Sequence, residues 1–254
     1  MLQQHKVKLI IAAVLFYFIL VIANLPASQV INRLPLPSNV TLFGVSGTLW
    51  NGEMRSAMVN GIQVKDIAWK LSAGALLLGK ASLDIKAGNA RAPEQIAFNG
   101  QVEASLLSLN VTAENAKLFL PTHLVLAQVP LPLPVQAGGR FYLDVSSLEY
   151  AVAESHCVAI QANGGWNNAS VSGAMGMIDF GRFESAITCQ DKVVHIQIDP
   201  NNVLGLDVLA TLTGQGQVGV KGKFKPSTSL PQEVHQAARM FGRADSQGFY
   251  HISM

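Results

Sequence analysis

Residues 206–224 read LDVLATLTGQGQVGVKGKF. Val208, Ala210 and Leu212 alternate with polar or neutral neighbours. After Gly214-Gln215-Gly216 the alternation resumes at Val218 and Val220 and ends at Phe224, with Gly222 at the remaining inward position. A period of two means a strand with one buried face, and two such runs around a glycine-rich break predict an antiparallel hairpin. The same period recurs upstream: in VVHIQID at 193–199 through Val194, Ile196 and Ile198, in RFYLDV at 140–145 through Phe141, Leu143 and Val145, and in LSLNVTA at 107–113 through Leu107, Leu109, Val111 and Ala113. The expectation is a mainly β domain, an antiparallel curved meander sheet or a sandwich.

Segment 62–71, IQVKDIAWKL, changes phase midway, Ile62 and Val64 fitting one face and Ile67, Trp69 and Leu71 the other. A bulge near Lys65-Asp66 reconciles them. The stretch 127–137, AQVPLPLPVQA, holds three prolines at alternate positions. Proline withholds N–H groups from a ladder, so this is a linker or sheet edge that divides the sheet into two halves. One short C-terminal helix is expected from Pro231, with Val234, Ala237, Ala238 and Phe241 on one face and Gly242 as its left-handed cap. A last strand follows at 249–252.

The N-terminus has a different character. LIIAAVLFYFILVIANL, residues 9–25, carries no charge and follows Lys6 and Lys8. Its length is at the lower end of the roughly 17–25 residues that span a membrane as a helix. Flanking lysines stay cytoplasmic. The resulting organisation is a cytoplasmic tail at 1–8, a signal-anchor helix at 9–25 and a periplasmic β domain at 26–254, placing the protein in the bacterial inner membrane. A cleavable signal peptide ending near Ala23 is the alternative.

Charged residues make up 13% of the chain, about half the usual ~25%. Lys6 and Lys8 are two of the 18 Lys and Arg, leaving 16 against 16 Asp and Glu. A neutral domain lacks the basic face that nucleic acid requires. The two cysteines, Cys157 and Cys189, follow a membrane-crossing signal into an oxidising compartment, which favours a disulfide over two buried free thiols. Gly164, Gly165 and Gly173 are expected in turns between them.

Catalytic arrangements are missing. None of the six histidines is paired in a zinc motif, and His195 reads as a solvent-facing strand residue. Gly214–Gly219 matches G-x-G-x-x-G by letter, but a strand rather than a helix follows it. Cys157 and Cys189 are too far apart for a redox C-x-x-C pair. No catalytic residue, metal or cofactor is assigned. One cluster remains, GVSGTLWNGE at 44–53. Trp50 precedes Asn51-Gly52, a strong hairpin signal. Trp50, Asn51 and Gly52 are either a partner-contacting corner or a β corner whose tryptophan plugs the end of the sheet.

The order of these features resembles the protein N family of the bacterial type II secretion system. The resemblance rests on GVSGTLWNG soon after the apolar segment, DIAWKLSAGALLLGKASLDI at 66–85 and GRFYLDVSSLEY at 139–150. The Cys157…Cys189 pair around GGWNNA and the stretch 205–227 complete it. It covers essentially the whole chain and implies a non-catalytic accessory component of an apparatus that exports folded periplasmic proteins. Its implied partners are inner-membrane platform components or periplasmic parts of the outer-membrane channel. A lipid-handling envelope protein, with an apolar groove on a curved sheet, is the competing expectation. A filled core of interlocked large residues argues for the first, and an open apolar trough for the second.

Overall fold

The computed structural model describes residues 2–33, 37–127, 136–173 and 176–253, with side chains from residue 9 onward. Helix α1 (Leu2–Ala23) is followed by a short α2 (Ala27–Ile31). Then come β1 (Val40–Gly47), β2 (Asn51–Val59), β3 (Ile62–Leu71), helix α3 (Ala73–Leu77), β4 (Lys80–Ala87), β5 (Ala97–Ser105) and β6 (Asn110–Pro121). Helix α4 (Thr122–Leu126) leads to β7 (Ala137–Ala151), β8 (His156–Gly173), β9 (Gly176–Gln190), β10 (Val193–Ile198), β11 (Asp207–Leu212) and β12 (Val218–Phe224). Helix α5 (Gln232–Ala238) and β13 (Tyr250–Ser253) close the chain.

The strands form one antiparallel sheet of 13 strands in sequence order, from β1 at one edge to β13 at the other. The registers account for the alternation in the sequence. One row across the sheet pairs Lys70 with Asp84, Asp84 with Gln101, Gln101 with Glu114, Glu114 with Ser147 and Ser147 with Gln161. It continues through Thr188 and His195 to Thr211. One residue along, Leu71, Leu83, Val102, Ala113, Leu148 and Ile160 lie side by side. Farther on, Ala162, Ile187, Ile196, Ala210 and Val220 do the same. Side chains alternate faces along a strand, so one face is polar and the other apolar. His195 is half-buried on the polar face, between Thr188 and Thr211.

The centre of the apolar face is a cluster of Ala116, Val145 and Ala162, with Phe98, Leu143 and Ile187 packed around it. The fully buried residues of this cluster are small, Ala116, Val145 and Ala162, and the larger ones packed against them are only partly buried. The face is thus not filled by interlocked large side chains.

Several local expectations shift. The expected bulge near Lys65-Asp66 is not formed: the register with β2 runs in step from Met54–Ile67 to Ser56–Lys65, and the local irregularity is Asp66 at φ 49°. Gly164, Gly165 and Gly173 lie inside β8 and not in turns. At Gly165 a Cβ would come within 2.2 Å of the Phe183 carbonyl oxygen, so glycine permits close approach of β9 there. Leu107 and Leu109 are not in a strand: β6 starts at Asn110, and both leucines are exposed in the preceding turn. The C-terminal helix stops at Ala238, a 3-10 turn carries Arg239–Phe241, and Gly242 takes φ 121°. Phe241 packs edge-on against Phe224, which stacks on Tyr250. The proline stretch falls outside the described residues from 128 to 135. On either side of it, β6 and β7 pair from Pro121–Arg140 to Asn110–Ala151.

Side chains from Leu9 to Ile22 on α1 are exposed. Among the described residues no helix is long and apolar enough to cross a membrane.

Candidate partner-binding corner

The hairpin between β1 and β2 turns at Thr48–Trp50, one step before the Asn51-Gly52 pair expected to make it. Gly47, at φ 80°, supplies the left-handed residue instead. Thr48 N–H donates to the Asn51 carbonyl at 3.0 Å, and Asn51 N–H donates back to Thr48 Oγ1 at 3.2 Å. Gly52 is required for another reason. It lies under the Trp69 ring, where a Cβ would meet Cζ2 at 2.2 Å. Trp69 Nε1 in turn donates to the Leu49 carbonyl at 3.1 Å.

Trp50 is half-buried, and its Nε1 donates to the Ile22 carbonyl at 2.8 Å. That carbonyl belongs to the last turn of α1, where backbone acceptors lack helical partners. Leu49 N–H donates to the Leu25 carbonyl at 2.9 Å, and Pro26 bridges to Thr48. The corner therefore clasps the end of the apolar helix to the first hairpin. Asn51 is exposed and lines a cleft with Trp69, Lys70, Asp84, Gln101 and Glu114. Trp50→Phe removes the indole donor while keeping the bulk. The expected loss is about 0.5–1.5 kcal/mol of local stability. Faster amide exchange at Leu49, with the melting temperature of the sheet unchanged, is the readout; unchanged exchange refutes the clasp.

Cys157 and Cys189 are joined by a disulfide with Cα atoms 6.1 Å apart. The bond staples the start of β8 to the end of β9, and Cys157 is buried. It is remote in the strand order from the β1–β2 corner, so the two features are separate.

Two anchoring residues carry no signal in the sequence. Arg140 donates to the carbonyls of Ala90 and Gln95, the latter at 2.6 Å, and its guanidinium lies over the Phe119 ring. It thereby pins the 88–96 connection, and partial burial draws its pKa down. Trp166 stacks between Phe141 and Phe183. Its Nε1 donates to Gly138 O at 3.0 Å and to Thr122 Oγ1 at 3.2 Å, tying β8 to the start of the β6–β7 connection.

Among the described residues no group of histidine, cysteine and carboxylate side chains is placed to hold a metal. The ion pairs Lys80–Glu103, Lys117–Asp144 and Arg182–Glu184 lie on the solvated surface, where such pairs add little stability. What the geometry defines is a single-sheet β domain with an amphipathic face pair and a helix clasped to its first corner.

The family model of type II secretion system protein N matches residues 38–253, and the chain belongs to that family. It is 28% identical over 231 residues to type II secretion system protein N of Vibrio cholerae serotype O1, spanning 91% of this chain and 90% of that one. With the protein of the same name from Aeromonas hydrophila it shares 29% over 252 residues, 96% of each chain. With the one from Klebsiella pneumoniae it shares 24% over 251 residues, 98% of this chain and 94% of that protein. No solved structure matches it.

Proposed function

We propose that the chain is a non-catalytic accessory component of the type II secretion apparatus, anchored in the bacterial inner membrane with its β domain in the periplasm. The observation that carries the reading is the family match along nearly the whole sheet. The anchor reading is supported by the uncharged run 9–25 after Lys6 and Lys8 and by the exposed apolar side chains of α1. On this reading 1–8 is the cytoplasmic tail, 9–25 the membrane helix and 26–254 the periplasmic domain. The partners are other secretion components, either of the inner-membrane platform or of the periplasmic part of the outer-membrane channel. Two surfaces suit them: the Trp50–Gly52 corner, and β1, the edge strand of the sheet among the described residues, beside which a strand can be added.

A second reading is favoured by Ala116 and Ala162 at the centre of the apolar face, small residues where large ones would fill a core. The protein would then hold acyl chains along that trough. Crosslinking in intact cells followed by mass spectrometry separates the two. Recovery of secretion-platform or channel proteins is expected. Recovery of phospholipid or lipopolysaccharide with no such protein overturns the secretion reading in favour of the trough.

A further inference from the structure

In an antiparallel meander the connections alternate between the two ends of the sheet. The connection at Thr48–Trp50 therefore shares its end with those at 72–79, 106–109 and 152–155. Hydrogen bonds link these tips into a row. Leu71 N–H donates to the Trp50 carbonyl at 2.8 Å, Leu106 N–H to Gly79 O at 2.9 Å, and Val152 N–H to Leu109 O at 3.4 Å.

The tips at 72–79 and 106–109 are apolar and project outward, while the connections at 152–155 and 191–192 at the same end carry Glu154, Asp191 and Lys192. Leu77 is 89% exposed, Leu78 79% and Leu107 91%, and Leu106, Leu109 and Val152 are exposed beside them. The stretches SAGALLLG at 72–79 and SLLSL at 105–109 contain no charged residue. At the opposite end, the connections at 88–96 and 225–249 carry Arg91, Glu94, Arg239 and Arg243, interspersed with exposed Met240 and Phe241. Large apolar side chains gathered at one margin of a protein mark a contact surface.

The tips satisfy much of their own backbone: Ser72 Oγ accepts from Ala75 N–H, Gly79 N–H donates to Leu76 O, and Leu109 N–H donates to Ser105 O. Ser108 N–H donates to Ser105 Oγ. Internally paired backbone can leave water without an unmet polar group. Leu109 also adopts φ 55°, a left-handed conformation that glycine or asparagine takes with less strain. A leucine kept there, half out in water, is not explained by the turn itself.

The location supplies the occupant. Trp50, at the head of the row, is bonded to the last turn of α1, so the apolar helix ends at the same margin as the leucine tips. We propose that this margin is a membrane-seating rim, in which the leucine tips at 76–78 and 106–109 dip into the headgroup–acyl boundary of the phospholipid bilayer. Uncharged leucine-rich tips suit that boundary, where apolar side chains partition while the polar body stays wet. The inference rests in part on α1 being the anchor.

The test uses the full chain in vesicles of phosphatidylethanolamine and phosphatidylglycerol. A polarity-sensitive fluorophore is placed on Leu77→Cys, Leu107→Cys, Arg91→Cys or Leu15→Cys; the two native cysteines are bonded to each other and do not compete. Blue-shifted emission at 77 and 107, with most of it lost to lipids carrying a shallow spin label, is expected, with neither effect at 91. Quenching at 77 and 107 no greater than at 91 overturns the proposal, whatever the label at 15 reports. Deep quenching at 15 with none at the tips leaves the anchor standing and the rim refuted. Quenching at the tips with none at 15 supports the rim and removes the anchor.

Discussion

Replacing the half-buried Trp166 by alanine lowers the stability of the sheet by about 3 kcal/mol, the low end of the range for deleting a large buried aromatic. The ring is stacked on both sides, by Phe141 at 5.1 Å and Phe183 at 5.9 Å between centroids. Its Nε1 also holds the Gly138 carbonyl and the Thr122 hydroxyl. Alanine leaves a void between two strands and two acceptors to find water. Trp166→Phe keeps most of the stacking and loses the donor, so its effect is about 1–2 kcal/mol. Denaturant titration of the two variants checks both values. Equal losses for the two would mean that the hydrogen bonds, and not the stack, hold the site.

Opening the disulfide by Cys157→Ser has an effect of comparable size, about 2–5 kcal/mol. The bond links residues 32 apart in sequence and restrains the unfolded chain. Because β8 and β9 remain paired from Gln161–Thr188 to Gly173–Gly176, the variant still folds and only the balance shifts. Denaturation with and without reductant is the measurement: reductant should destabilise the native protein and leave the variant unchanged. A native protein indifferent to reductant, while its thiols become alkylatable, contradicts the expectation.

Most of the fold is legible in the sequence because nearly every strand has one wet face. Val208, Ala210 and Leu212 share one face of β11, and the registers place Ala210 beside Val220 and Leu212 beside Val194, although Leu209 and Thr211 between them are half-buried too. The family resemblance was legible for the same reason, as an ordered set of such strands. Leu107 and Leu109 show where the signal fails. They alternate as a strand does, yet they are exposed in a turn, because period two records apolarity and not what the apolar surface meets. The Asn51-Gly52 pair misled differently. Gly52 is needed under Trp69, and the left-handed residue of the turn is Gly47. Trp50 stood out as a corner residue, but its partner is a backbone carbonyl 28 residues earlier, which no side-chain pattern announces. Trp166 and Arg140 carry no pattern in the sequence because their roles depend on neighbours from other strands and connections.

The strand order from β1 to β13 has a consequence for how the protein is made. Every strand pairs with the one synthesised just before it, so the ladder never waits for a distant segment. Low contact order of this kind favours rapid folding, and it allows assembly to proceed vectorially as the chain is delivered from its N-terminus. The growing edge is always the newest strand, and it stays open until its successor arrives. Cys157 has no mate until Cys189, near the end of β9, has emerged, so the bond can form only after both β8 and β9 have been delivered.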